Sequence, residues 1–172
     1  EHGVLATWGM VSLTAGILVY NLLIGNMQLE YVASYTSTSL PTIYKISALW
    51  AGSAGSLLLW GWTLATFAVV VLFQNRTRNR ILMPYVHATL MTVTLFFIAI
   101  NIFYANPFEL LPFIPAEGKG LNPILQMPLM MIHPPILYQG YVGVTVPFAF
   151  AIAALITREL GDTWVRTIRR WT

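Results

Sequence analysis

The run 46–75, ISALWAGSAGSLLLWGWTLATFAVVVLFQN, is thirty residues long and carries no charge. A helix needs about 20 apolar residues to cross the hydrocarbon of a bilayer, and a stretch this long has no place on a water-facing surface. Three more uncharged runs lie around it, at 4–29, 81–108 and 121–157. Composition agrees. The 172 residues are 57% hydrophobic and 9% charged, whereas a soluble domain carries about 25% charged residues. High apolar content, only nine basic residues and no cysteine exclude intrinsic disorder, nucleic-acid binding and a secreted disulfide scaffold. The chain therefore reads as all-α, a polytopic membrane helix bundle with helices expected at about 4–27, 53–74, 82–105 and 134–157. The last begins at Pro134 in this reading because Pro123, Pro128, Pro134 and Pro135 remove backbone donors from the stretch before it.

The basic residues supply an orientation. Arg76, Arg78 and Arg80 fill the connection between helices two and three, and Arg158, Arg166, Arg169 and Arg170 follow helix four. Four crossings put both segments on one side, which the positive-inside rule makes cytoplasmic. The two long connections, at about 28–52 and 106–133, then share the opposite face. They are rich in tyrosine, tryptophan and phenylalanine, as an interfacial belt would be, and long loops between packed elements tend to be functional. The tail 159–172 spaces Leu160, Trp164, Val165, Ile168 and Trp171 helically among arginines, which predicts an amphipathic helix on the inner leaflet. No internal repeat is evident, and the start at Glu1 reads as a point inside a longer protein.

Few constellations could carry chemistry. The acids are scattered on loops, and the one close pair, Glu159 and Asp162, sits on the arginine-rich tail as a solvated surface. No P-loop or H-E-x-x-H occurs, and without cysteine the chain cannot itself be a c-type cytochrome. Gly52-Ser53-Ala54-Gly55 lacks the lysine and strand of a nucleotide site and reads as small residues packed between helices.

His133, in Met130-Met131-Ile132-His133-Pro134-Pro135, is the exception. It is an ionisable ring in apolar company at the outer boundary of helix four, where such groups suggest function. Placed as a cap on that helix, it meets the positive end of the helix dipole, which favours the neutral imidazole with a lone pair for iron. A histidine merely hydrogen-bonded among headgroups fits the same facts. His87, two turns from the inner arginines, reads more simply as a bundle histidine bonded near Thr89 and Thr92. Met127, Met130 and Met131 could offer a thioether to a metal or pack against rings. Trp50, at the end of Tyr44-Lys45-Ile46-Ser47-Ala48-Leu49-Trp50, is either part of the interfacial belt or a flat wall for a planar ring.

These motifs, with Gly55-Ser56-Leu57-Leu58-Leu59-Trp60, Asn106-Pro107-Phe108, Gly120-Leu121-Asn122-Pro123, Gln126, Tyr138 and Gly140-Tyr141-Val142-Gly143, occur in a known order. The chain resembles the CcmF family, membrane subunits of the bacterial cytochrome c haem lyase, from about residue 31 to 171. The resemblance implies a multi-pass protein of the bacterial inner membrane that takes haem from a haem chaperone at the periplasmic face. Haem b would be presented there to apocytochrome c, with other cytochrome c maturation subunits and membrane lipid as partners. It also implies that His133 is one of two axial ligands to haem iron, and the flat-wall reading of Trp50 makes that residue a lesser cofactor contact. The family's tryptophan-rich loop, second flanking histidine and transmembrane histidine pair lie downstream, so the chain corresponds to an amino-terminal portion that would hold haem weakly alone. Ala54 and Met127 stand where the family commonly has acids. The competing expectation is a non-catalytic scaffold or transporter-like bundle, against which the absence of a repeat and of midplane polar groups counts.

Overall fold

The computed structural model describes residues 1–159 and 161–171. Helix α1 (His2–Ile24) ends at Gly25, whose φ of 70° turns the chain in the left-handed region that glycine adopts freely. Two short helices come next, α2 (Glu30–Tyr35) and α3 (Thr42–Ser47), then a 3₁₀ turn at Ala48–Trp50. The spans α4 (Ser53–Gln74) and α5 (Met83–Phe103) are joined by the tight arginine turn. A second long connection holds a 3₁₀ turn at Pro123–Gln126 before α6 (Pro128–Gly143), α7 (Thr145–Thr157) and the short α8 (Thr163–Ile168). Four segments are long and apolar enough to cross a membrane, the fourth being α6 and α7 together. No strand occurs among the described residues, only an isolated bridge between Leu29 and Leu110.

Helix α4 is the central element. Half of its most apolar window is buried, against 22% for α1 and for α5, whose outward faces carry Met10, Leu13, Leu95 and Ile102. Apolar side chains on both faces are what a bilayer solvent permits, so an amphipathic stripe is not needed to hold such helices. Packing divides into two cores. One joins α4, α5 and α7 through Leu64, Ala68, Val71, Val86, Leu90, Val146 and Phe150; the other joins α1, α2 and the start of α4 through Leu18, Leu22, Val32, Leu49 and Leu58. Polar ties fix α1 on α4: Trp8 Nε1 donates to Thr66 Oγ1 at 3.1 Å and Trp62 Nε1 to Ser12 Oγ at 2.9 Å.

The fourth span departs from the sequence reading. It starts at Pro128, not Pro134, and runs with Pro134 and Pro135 inside it. Met127 is extended and Pro128 takes the first helical position, where its missing N–H would have had no partner anyway. Pro134 and Pro135 then deprive only the carbonyls of Met130 and Met131 of their helical donors, within reach of the loop end. The actual break falls at Val144, where Pro147 cannot donate to Gly143 and α7 resumes.

The described residues of the tail fold back onto the bundle. Trp164, Ile168 and Trp171 pack against the α4–α5–α7 core, and the rings of Trp171 and Phe67 meet edge-on at 5.1 Å. Val165 alone of that set stays exposed, and Leu160 lies outside the described residues.

Candidate functional site

The two long connections build one end of the bundle together. Glu30 N–H donates to Glu109 O at 2.9 Å and Leu111 N–H to Gln28 O at 2.9 Å, while Lys119 N–H reaches Ala33 O at 2.8 Å and Gly120 N–H reaches Thr36 O at 3.0 Å. Glu117 closes the strap, accepting from Thr38 N–H at 2.8 Å, from the Thr38 hydroxyl and from Gly118 N–H. Those bonds to Thr38, the hydroxyl first, hold its carboxyl below the usual carboxylate range. Gly118 is required there, because a Cβ would sit 2.1 Å from Thr36 O.

Beneath this strap, Tyr31 organises the entry to α4. Its Oη lies 3.0 and 2.9 Å from the carbonyls of Ala48 and Leu49 and accepts from Gly52 N–H at 3.1 Å. Burial pushes the phenol up, so it stays protonated. A Cβ on Gly55 would approach Leu49 O to 1.9 Å and Tyr31 Oη to 2.3 Å, and one on Gly52 would strike the Tyr35 ring. The small residues at 52–55 thus make room for two tyrosines of α2 and a turn carbonyl, and Asn101 of α5 reaches the Ala54 carbonyl at 2.9 Å, so they pack between helices.

His133 lies in the second turn of α6, not at its cap. The ring is exposed and has no hydrogen bond among the described residues. On the same helical face stand Leu129, Ile136 and Leu137, all exposed, and Gly140. The opposite face of α6 holds it to the bundle: Tyr138 Oη is 3.4 Å from Ser56 Oγ, and its ring meets Trp60 at 5.3 Å. An exposed imidazole among apolar side chains and a glycine leaves a ring nitrogen open to a ligand. Met127 and Met130 are exposed nearby and Met131 half-buried. Among the described residues no group of three or more His, Cys, Asp or Glu side chains converges.

Trp50 ends the 3₁₀ turn, half-buried against the loop-end core. Its carbonyl accepts from Ser56 Oγ at 3.0 Å, which links it to the Tyr138 side of α6. Five residues separate Tyr138 from His133, about 140° around a helix, so Trp50 attaches to the flank of α6 turned away from the imidazole. His87 lies toward the opposite end of the bundle. Both ring nitrogens are buried without a partner, and the threonines expected to serve it bond backward along their own helix, Thr89 to Tyr85 O and Thr92 to Ala88 O. The pairing of glycines with tyrosines and the loop interlock escape a sequence reading; Tyr31 and Tyr35, four residues apart before a glycine pair, are the available signal.

A four-span helical bundle with an end built from two interlocked loops defines a polytopic membrane protein with an elaborated polar face. The profile of the Cytochrome C assembly protein family matches residues 50–171, and the chain belongs to that family. It is 41% identical over 177 residues to the cytochrome c-type biogenesis protein CcmF of Escherichia coli K12, covering 98% of this chain and 27% of that protein. It is 36% identical over 170 residues to CcmF of Haemophilus influenzae, covering 96% and 26%. The solved structure of the cytochrome c heme lyase CcmF superposes with a TM-score of 0.79 at 28% identity, over 98% of this chain and 26% of that one. The chain spans about a quarter of the length of these relatives.

Proposed function

We infer that this chain is the part of a haem-handling membrane protein of cytochrome c maturation that holds haem at the periplasmic face for covalent attachment to apocytochrome c. The observation that carries the reading is His133: an unbonded imidazole on an exposed apolar face of α6, at the end built by the two loops. Haem b, when bound, supplies an iron centre and vinyl groups for thioether formation. His133 would hold the iron through a ring nitrogen, and Leu129, Ile136, Leu137 and Gly140 would form an apolar bed. Trp50 enters as an aromatic support on the flank of α6 turned away from the imidazole, not as a ligand. The second ligand and the lyase chemistry belong to other segments or subunits, and a haem chaperone and apocytochrome c are the partners. The arginine turn and tail face the cytoplasm in this reading, in the bacterial inner membrane.

The test uses the full-length protein purified in detergent. His133→Ala abolishes most of the Soret absorbance, whereas His87→Ala, at the other end of the bundle, keeps it. Equal haem content in the two variants would reject the assignment and favour a non-catalytic scaffold, for which intact partner capture without chromophore is expected.

A further inference from the structure

The arginine end of the bundle carries a polar basin that the haem reading does not use. It encloses about 730 Å³ and is lined by Asn75, Arg78 and Asn79 from the α4–α5 turn and by Asp162, Arg166 and Arg170 from the tail. Its floor is tied together. The buried Asn75 side chain donates to Val71 O at 2.9 Å, and Asn79, held at φ 51°, donates to Asn75 Oδ1 at 2.9 Å and to Thr167 Oγ1 at 3.1 Å. Turn and tail, about 90 residues apart, are thereby joined beneath the opening.

The rim is cationic. Three guanidinium groups face one carboxylate, Asp162, which lies 3.3 Å from Arg166 in an exposed pair of little energetic weight. That is the one ion pair among the described residues, so Arg78 and Arg170 have no described carboxylate. A second recess shares Asn79 and Gly161 with the basin and runs past Arg80 to Trp164. Open guanidinium forks suit an anion made of acceptor oxygens, and phosphate matches the planar fork of arginine best. The basin also lies where α4 and α7 end and α5 begins, the level at which lipid headgroups meet a spanning helix. Exposed Ile81 beside the second recess offers apolar contact to the acyl chains below a headgroup.

We propose that this basin binds the phosphate of an acidic phospholipid headgroup, held by Arg78, Arg166 and Arg170. A net positive rim selects a headgroup of net negative charge over a zwitterionic one. The site is independent of haem and joins the α4–α5 turn to the tail across the membrane surface.

The full-length protein is exchanged into mixed micelles containing phosphatidylglycerol and phosphatidylcholine at equal mole fraction, and retained lipid is counted by native mass spectrometry. Phosphatidylglycerol is retained preferentially. The Arg78→Gln/Arg170→Gln variant lowers that retention about tenfold or more, while the charge-matched Arg158→Gln/Arg169→Gln variant, outside the basin, keeps it. Equal loss in both variants, or no preference in the parent, overturns the proposal. Displacement of the lipid by inorganic phosphate in excess would overturn the lipid as the source, and resistance to it supports the lipid. Thermal melts establish folding; should the basin double variant fail to fold, Arg170→Gln against Arg169→Gln makes the same comparison.

Discussion

Ser56 Oγ lies 3.4 Å from Tyr138 Oη, and this contact sets the height of the candidate ligand. Ser56 is in the first turn of α4, so Tyr138 stands level with the place where that span begins. His133, five residues nearer the start of α6, is about 7.5 Å farther toward the loop end at 1.5 Å per residue. The thirty residues from Pro128 to Thr157 exceed the roughly 20 a crossing requires, and the surplus carries the imidazole past the loop end of α4.

Tyr138 should therefore matter to haem retention without touching iron. Tyr138→Ala, which removes the edge contact with Trp60, is expected to cost about 3 kcal/mol of stability and to lower Soret absorbance although His133 is intact. Tyr138→Phe should cost under about 1 kcal/mol, the usual worth of a hydroxyl bond between membrane helices. Melting in detergent followed by absorbance would test the pair, and identical behaviour of the two variants would refute the scaffold role of the ring.

Gly55 and Gly16 give opposite expectations for one change. A Cβ at 55 collides with the Leu49 carbonyl and the Tyr31 hydroxyl, so Gly55→Ala should destabilise by about 1–3 kcal/mol or more. At Gly16 nothing lies within 4 Å, and Gly16→Ala should be neutral or stabilising by up to about 1 kcal/mol. Comparable melts for both would contradict the crowded entry to α4.

Removal of the Tyr31 hydroxyl leaves Gly52 N–H buried without its acceptor, and Tyr31→Phe is expected to cost about 1–3 kcal/mol. Because burial raises the folded phenol's pKa, its contribution is complete below the ordinary tyrosine range near pH 10 and is lost as pH rises above it. An alkaline titration of stability should show this loss in the parent and a flatter profile in Tyr31→Phe.

The Glu117 strap should respond at the other end of the scale. Its carboxyl is held below the usual range by Thr38, so its stabilising effect is complete above the ordinary carboxylate pKa and disappears as pH falls through the lowered one. Amide exchange at Lys119 and Gly120 should accelerate under that acidification, and already at neutral pH in Glu117→Ala. Unchanged exchange in the variant would show that the backbone bonds to Ala33 and Thr36 hold the strap unaided.

Much of the architecture is legible because solvent partition is a one-dimensional property. The uncharged runs at 46–75 and 81–108 announce spans whatever they pack against, and Arg76–Arg80 and Arg158–Arg170 gather at one end because four crossings leave no alternative. The start of α6 is hidden for a local reason: counting prolines as breakers overlooks that Pro128 is harmless at a first helical position and that Pro134 and Pro135 strip only two carbonyls.

The sequence alone determined that this chain carries four runs long and apolar enough to cross a membrane, and that an imidazole falls near one end of the fourth. Only the tertiary structure decided that the imidazole points outward on a bare apolar face while Trp50 joins the other flank of α6, that Glu30 pairs with Glu109 and Ala33 with Lys119, and that the tail folds back to close an arginine-lined basin. Hydrophobic runs report what each residue prefers as solvent. Which groups meet across some eighty residues depends on how helices and loops pack, and no local preference encodes that.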